Sequence, residues 1–387
     1  MTDVATPEPS PPVHVCIATG QNAANLIPLE QYDAREVWIL QTQAMKESAK
    51  QLALALKKRG RHIERIDFDD ASPDRLTRSA EWIAERLDGR HVVLHVTGGT
   101  KLMVLALRDG LRLVESGSGS LDILYAETLK QQIDWLGAKP RTEPMADVLN
   151  LQKMLLVQGY RIDGDSRHSA ALKRATAPDR ARTTRMLGER AGRHGAFLTP
   201  LATLGNRAAE GQGAEGGLVQ HFTYQPGGPA ADLLRDATDA GMLTWDGDIR
   251  LRFADLEVAG YFAGGWLEEF VLLKLSGMAP PDRFASNLVV RSAAHDVPNE
   301  LDAMLVHRNR ALLIECKTGR QNDPADALYK LAQLRDRLGG SVASALYLSA
   351  QPLGDAHRKR AADYRVAVLC GHEVAKLPAW LQNWMDG

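Results

Sequence analysis

Asp302, Glu315 and Lys317 fall in one short stretch, NELDAMLVHRNRALLIECKTG over residues 299–319, at a spacing that could gather two carboxylates and an ammonium. His307, Arg308, Asn309 and Arg310 separate two apolar runs, which predicts an antiparallel hairpin with a four-residue loop. Pairing Val306 with Ala311 sets Asp302 opposite Glu315. Alternation then gives Leu313, Glu315 and Lys317 one face, and Leu312, Ile314 and Cys316 the other. Like charges facing each other across a hairpin are destabilising, and packing does not ask for them. A divalent cation would remove the conflict, and hard oxygen ligands suit Mg²⁺ or Mn²⁺. Lys317 could then orient or help deprotonate a water and stabilise charge on a phosphate. In outline this is a phosphodiester-hydrolysing site. Glu-x-Lys alone is also a common exposed ion pair, so the argument rests on the combination.

A second stretch, VVLHVTGGTKLM, runs from a buried strand through a tight turn into a helix. Thr97, Gly98, Gly99, Thr100 and Lys101 therefore sit at the carboxyl end of a strand and at a helix N-terminus, where backbone N–H groups favour anions. The glycines permit close backbone approach, Thr100 can cap the helix and Lys101 adds charge. No Gly-x-Gly-x-x-Gly follows the first strand, and the turn is not a Walker loop. The first strand ends in ATGQNAANLIP, which places Thr19, Gln21, Asn22 and Asn25 at the same edge. Thr42 and Met45, after the second strand, could complete a nucleotide-sized polar crevice.

The elements that must hold these residues can be read from periodicity. Strand-like runs at 14–18, 36–40, 61–68, 91–96 and 121–126 alternate with helix-like stretches at 44–59, 74–87 and 102–114. That βαβ alternation predicts a Rossmann-like parallel sheet over residues 13–144. Residues 1–12, with Pro7, Pro9, Pro11 and Pro12, read as a disordered tail. Residues 145–260 form a less regular connector in which Arg167, Lys173, Arg174, Arg180, Arg182, Arg185, Arg190 and Arg193 crowd together. This is either a local nucleic-acid-facing surface or a solvated helical face. A helix at 230–240 and a hairpin at 242–251, turning at Asp246 and Gly247, resemble the end of a winged helix-turn-helix. Residues 261–387 return to α/β, with helices at 265–275 and 325–337 and strands at 301–306, 311–316, 342–348 and 366–370.

Composition bounds the reading. The 387 residues carry 47 Lys and Arg against 48 Asp and Glu, which excludes a protein that coats nucleic acid through bulk charge. No apolar run reaches the roughly 20 residues of a membrane helix. Cys16, Cys316 and Cys370 fit neither a disulfide framework nor a zinc cluster, and with no signal-peptide pattern the expected location is the cytoplasm.

On these residues the C-terminal part resembles the PD-(D/E)xK nuclease superfamily: Asp302 in NELDAML and Glu315 with Lys317 in LIECKTG match its motif, with Leu301 in place of the motif proline. The helix GWLEEF is similar to the acidic first helix of such nucleases, Glu268 fitting the family position and Glu269 being the fallback. The resemblance implies catalytic roles for Asp302, Glu315, Lys317 and Glu268, and a metal set of Asp302, Glu315, Cys316 and Glu268. It implies supporting roles for Lys330 and Gln333, near Tyr329 in ALYKLAQLRD. The first domain resembles a CARF domain, the Rossmann-like sensor of CRISPR-associated proteins, through Thr97, Gly98, Gly99, Thr100 and Lys101. The two together resemble the cyclic-tetra-adenylate-activated nucleases of type III CRISPR immunity. That resemblance implies a homodimer, activation by cyclic oligoadenylate, and metal-dependent cleavage of single-stranded DNA and RNA, with nicking of duplex DNA an open addition. Two alternatives stay open. One is a CARF transcription regulator, which needs no metal; the other is a restriction-type nuclease, which needs no activator.

Overall fold

The computed structural model describes residues 11–137, 139–163, 167–293, 296–319 and 323–387. Residues 1–10 of the expected tail and the side chain of Arg167 lie outside the described residues. Among the described residues no helix is long and apolar enough to cross a membrane.

The first domain runs β1 (Val13–Ile17), α1 (Ala23–Gln31), β2 (Glu36–Gln41), α2 (Lys46–Leu56), β3 (His62–Asp67), α3 (Pro73–Arg86), β4 (His91–His95), α4 (Lys101–Ser116), β5 (Ser120–Glu127), β6 (Gln132–Leu136) and β7 (Arg141–Pro144). The sheet order is β3-β2-β1-β4-β5-β6-β7, parallel as far as β5 and antiparallel thereafter. β1 is buried on both faces because both are covered, and its one polar residue, His14, is paired with His95 at 2.9 Å. Val13, Val15 and Ile17 pack with α3 and α4, and Cys16 with α1 and α2. The chain order reverses between β1 and β4, so their carboxyl ends open onto the crevice where such sheets take ligands.

The connector holds α5 (Leu151–Val157), β8 (Tyr160–Ile162), α6 (Arg167–Ala175), α7 (Pro178–Glu189), α8 (Ala191–Ala209), β9 (Val219–His221), α9 (Pro229–Asp239), β10 (Leu243–Trp245) and β11 (Arg250–Phe253). Its small sheet has the order β10-β11-β9, with the hairpin at the expected place and α9 between the first two strands in sequence. This is a winged-helix-like arrangement. However, α9 turns Asp232, Asp236 and Asp239 away from the core, and Arg235 is drawn to Asp232 at 3.0 Å. An acidic helix in the recognition position repels a phosphate backbone.

The last part runs α10 (Leu256–Gly260), a π turn (Tyr261–Gly265), α11 (Trp266–Ser276), β12 (Phe284–Ser292), β13 (Pro298–His307), β14 (Arg310–Lys317), α12 (Pro324–Leu338), β15 (Ala343–Ser349), α13 (Asp355–Asp363), β16 (Val366–Cys370) and α14 (Leu377–Asp386). Its sheet order is β16-β15-β14-β13-β12-β8, so the connector supplies an edge strand. Val306 pairs with Ala311 as expected, but pairing continues to His307 with Arg310, and the loop is two residues rather than four. Arg308 and Asn309 take φ of 48° and 56°, the left-handed pair that a two-residue turn needs. Nor is Asn309 a solvated loop residue. It is buried, accepts from the N–H groups of Val148 and Leu149 at 3.0 Å each, and donates to the Ala146 carbonyl at 2.7 Å.

Besides the core between β1, α3 and α4, two apolar cores link these parts. One runs without a break from α1 and α2 through α5 to one face of the second large sheet and α12. The other joins α6 to α11, α14 and the opposite face of that sheet, so the connector and the last part close over shared side chains.

Candidate nuclease site and sensor edge

The β13–β14 ladder stops at Ala303 and Ile314, and the groups of interest lie just beyond it. Asp302 Oδ2 accepts from the Cys316 N–H at 2.7 Å, which pins the carboxylate across the strand gap. Lys317 Nζ lies 2.5 Å from Glu315 Oε1 and 3.7 Å from Asp302 Oδ2. The π turn ahead of α11 brings its first turn against this end of the sheet: a Cβ on Gly264 would sit 2.8 Å from Thr318 Oγ1. The two adjacent acids of α11 then part company. Glu269 is gripped by Arg180 through Nε and a terminal nitrogen at 2.9 and 2.6 Å, while Glu268 faces Asp302 and Lys317.

Charge is strained here. Burial, and then Asp302, push Glu268 up to about 7. The same two causes raise Glu315 even against Lys317. Burial disfavours the Lys317 ammonium, but Glu315 and Asp302 outweigh it and its pKa ends raised. Burial also pushes the Cys316 thiol well up, so this group is no thiolate. With Lys317 drawn between two of the acids, no three acid, imidazole or thiol groups close around one point among the described residues. The donor chemistry, three carboxylates facing one another, nevertheless suits a hard divalent cation.

On α12, Lys330 is exposed and its charge favours ionised Glu315. Gln333 is exposed, and Tyr329 packs edge-on against Tyr364 at 6.0 Å. A small cleft of about 160 Å³ beside Glu268 is lined by Arg174, Arg180, Ser286 and Asn287, none of which the motif reading assigned to the site. An asparagine within the apolar run FASNLVV was the available signal for the last of these.

The sensor edge is built differently. Asn22 Oδ1 accepts from the Thr19 N–H at 2.9 Å, and Asn25 Nδ2 donates to the Ile17 carbonyl at 2.8 Å. Thr97 Oγ1 accepts from the Ala126 N–H at 2.7 Å, and Thr100 Oγ1 caps α4 through the Met103 N–H at 3.3 Å. The glycines admit the neighbouring strand: a Cβ on Gly98 would meet the Ile17 carbonyl at 2.5 Å, and Gly99 has φ +85° against the Ile17 side chain. These loops are thus brought together at the ends of β1 and β4. Thr42 is buried at the end of β2, Met45 packs on the sensor-side core, and Lys101 is exposed. Gln21 points away from the crevice towards α12, donating to the Asp336 carbonyl at 3.4 Å and accepting from Gln158 at 3.1 Å.

Two family models match the chain. Residues 13–154 match the family model of the Card1 CARF domain, and residues 255–386 that of the Card1-like endonuclease domain. The fold is similar to protein VC1899 from Vibrio cholerae, with a TM-score of 0.82 at 22% identity, covering 97% of this chain and 98% of that one. It is also similar to Can2 from Sulfobacillus thermosulfidooxidans, solved in complex with cyclic tetra-adenylate, with a TM-score of 0.76 at 23% identity over 97% and 99% of the two chains. A type III CRISPR defence DNA nuclease activated by cyclic oligoadenylate matches at a TM-score of 0.52 and 17% identity, over 89% of this chain and 46% of that one. No curated protein matches. With a Card1 CARF domain at one end and a Card1-like endonuclease domain at the other, the chain belongs to the CARF-domain nucleases.

Proposed function

We propose that this protein is an ancillary nuclease of type III CRISPR defence, switched on by cyclic tetra-adenylate and cutting single-stranded DNA and RNA in the cytoplasm by metal-dependent hydrolysis of the PD-(D/E)xK kind. The observation that carries the reading is the gathering of Asp302, Glu315 and Glu268 around Lys317 at one end of a sheet. Buried like charges of this sort cost stability and are kept where chemistry uses them.

Asp302, Glu315, Glu268 and the backbone carbonyl of Cys316 would hold Mn²⁺ or Mg²⁺, which supplies Lewis acidity at the phosphate. Lys317, whose ammonium Glu315 and Asp302 favour, would orient the attacking water and stabilise charge on the phosphate. Lys330 adds positive potential, and Gln333 would be recruited only by substrate.

The activator would sit across the ends of β1 and β4, held by Thr97, Gly98, Gly99, Thr100 and Lys101 with Thr19, Asn22, Asn25, Thr42 and Met45. Leu102 and Leu105, 64% and 54% exposed directly after Lys101, are apolar surface that a second copy would cover in a homodimer. Gln21 connects this edge to α12. Its contact with Asp336 lies less than two helical turns from Lys330, so movement of the loop reaches the catalytic end through one rigid element.

The test is cleavage of labelled single-stranded DNA, single-stranded RNA and plasmid, with and without cyclic tetra-adenylate, in Mn²⁺, Mg²⁺ or EDTA. Cleavage that requires both activator and metal is expected. Cleavage without activator supports a restriction-type enzyme, and cleavage in EDTA rejects the metal assignment.

A further inference from the structure

Asn287 occupies an unusual place in β12. The pairs on either side of it are regular, Ser286 with Ala303 and Leu288 with Leu301, but between them Asn287 and Asp302 are unpaired. Asn287 has φ +49°, left-handed backbone inside a strand, which costs about 1 kcal/mol or more and which asparagine tolerates better than most residues. Across this step the alternation slips on both strands. Ala285 and then Leu288 and Val290 face the same core, as do Leu301 and then Met304 and Val306. A regular ladder would have continued the alternation. The kink puts Asn287 in the cleft beside Glu268, whose carboxyl its side chain hydrogen-bonds, and frees Asp302 from the ladder at the same step. Next to it, Ser286 is buried and lines the same cleft with an Oγ that has no partner. Buried polar groups are rarely left unsatisfied without reason.

We propose that Asn287 is a positioning residue for phosphodiester cleavage: its left-handed backbone breaks the β12–β13 ladder at Asp302, and its side-chain amide fixes the Glu268 carboxyl on the reacting side of the cleft. The inference rests on the nuclease reading of Asp302, Glu315 and Glu268. Backbone and amide have separate roles, and glycine separates them. Glycine takes the same φ without strain but has no amide.

In the full-length protein with activator and Mn²⁺, Asn287→Gly should keep the wild-type melting temperature and KM, lose 10- to 100-fold in kcat, and bind Mn²⁺ alone several-fold more weakly in calorimetry. Asn287→Asp keeps the side-chain shape but sets a third carboxylate against Glu268 and Asp302, and should lose more kcat than glycine. If either variant turns over and binds Mn²⁺ like wild type, Asn287 has no positioning role. The same holds if the loss in Asn287→Gly follows a fall in melting temperature and Asn287→Asp restores kcat. A wild type that shows no metal-dependent cleavage, or a Glu315→Ala variant that retains it, overturns the nuclease reading and this inference with it.

Discussion

The two ends of the molecule treat their polar residues in opposite ways. At the nuclease end the groups conflict: three carboxylates crowd one ammonium, two of them are driven towards the protonated form, and a buried hydroxyl beside them has no partner. At the sensor edge Asn22, Thr97 and Thr100 each already have a partner within the loops, and Asn25 donates to the Ile17 carbonyl while its Oδ1 is buried without a partner. Unresolved charge marks where a ligand or ion is expected to complete the structure. Side chains that are mostly satisfied mark a scaffold, whose ligand contacts come from backbone groups, from exposed Lys101, from the unpartnered Asn25 Oδ1, or from rearrangement.

Substitutions at the two ends should therefore fail in different ways. Glu315→Ala should cut cleavage by about 10³-fold or more while cyclic tetra-adenylate binding and melting temperature are kept. A comparable loss of stability would erase the contrast.

Glu268→Gln probes the conflict directly. The folded protein holds the Glu268 proton up to about pH 7, whereas an unfolded glutamate releases it near 4.5, so stability falls as pH rises through that window. Removing the titration should stabilise the metal-free protein near pH 8 by up to about 3 kcal/mol, with the gain vanishing at pH values below the window. Urea unfolding in EDTA at several pH values measures this, and a flat difference would show that the site is not strained.

Asn25→Ala should do the opposite of Glu315→Ala, costing about 1–3 kcal/mol of stability by orphaning the Ile17 carbonyl. Lys101→Ala should have the smallest effect on fold, lowering activator affinity roughly tenfold, the scale of one charge-assisted hydrogen bond. Unchanged calorimetric affinity there would move the activator elsewhere.

What the sequence disclosed follows the same line. Alternation and flanking apolar runs were enough to pair Val306 with Ala311, and the charge conflict at Asp302 and Glu315 is visible in the letters because nothing about packing explains it. Which of Glu268 and Glu269 faces the site was not readable, since Arg180, 89 residues away in sequence, decides it. Asn287 was hidden for a related reason: a backbone kink within a strand is set by what packs on both sides of the sheet. The two-residue turn at Arg308 and Asn309 was misjudged because polar letters suggest solvent, whereas Asn309 is buried against residues 146–149.

That last contact belongs to a larger feature, the apolar core that continues from the sensor helices through α5 into the nuclease sheet and α12. A protein joined in this way is not two beads on a string. Proteolysis or truncation in the connecting segment leaves each fragment with half of a hydrophobic interior facing water, a species prone to aggregate rather than an enzyme freed from its regulator. On the proposed function, the dependence of cutting on sensing would thus be protected by solubility itself, and exchanging one sensor for another would require redesign of the nuclease face against which it folds.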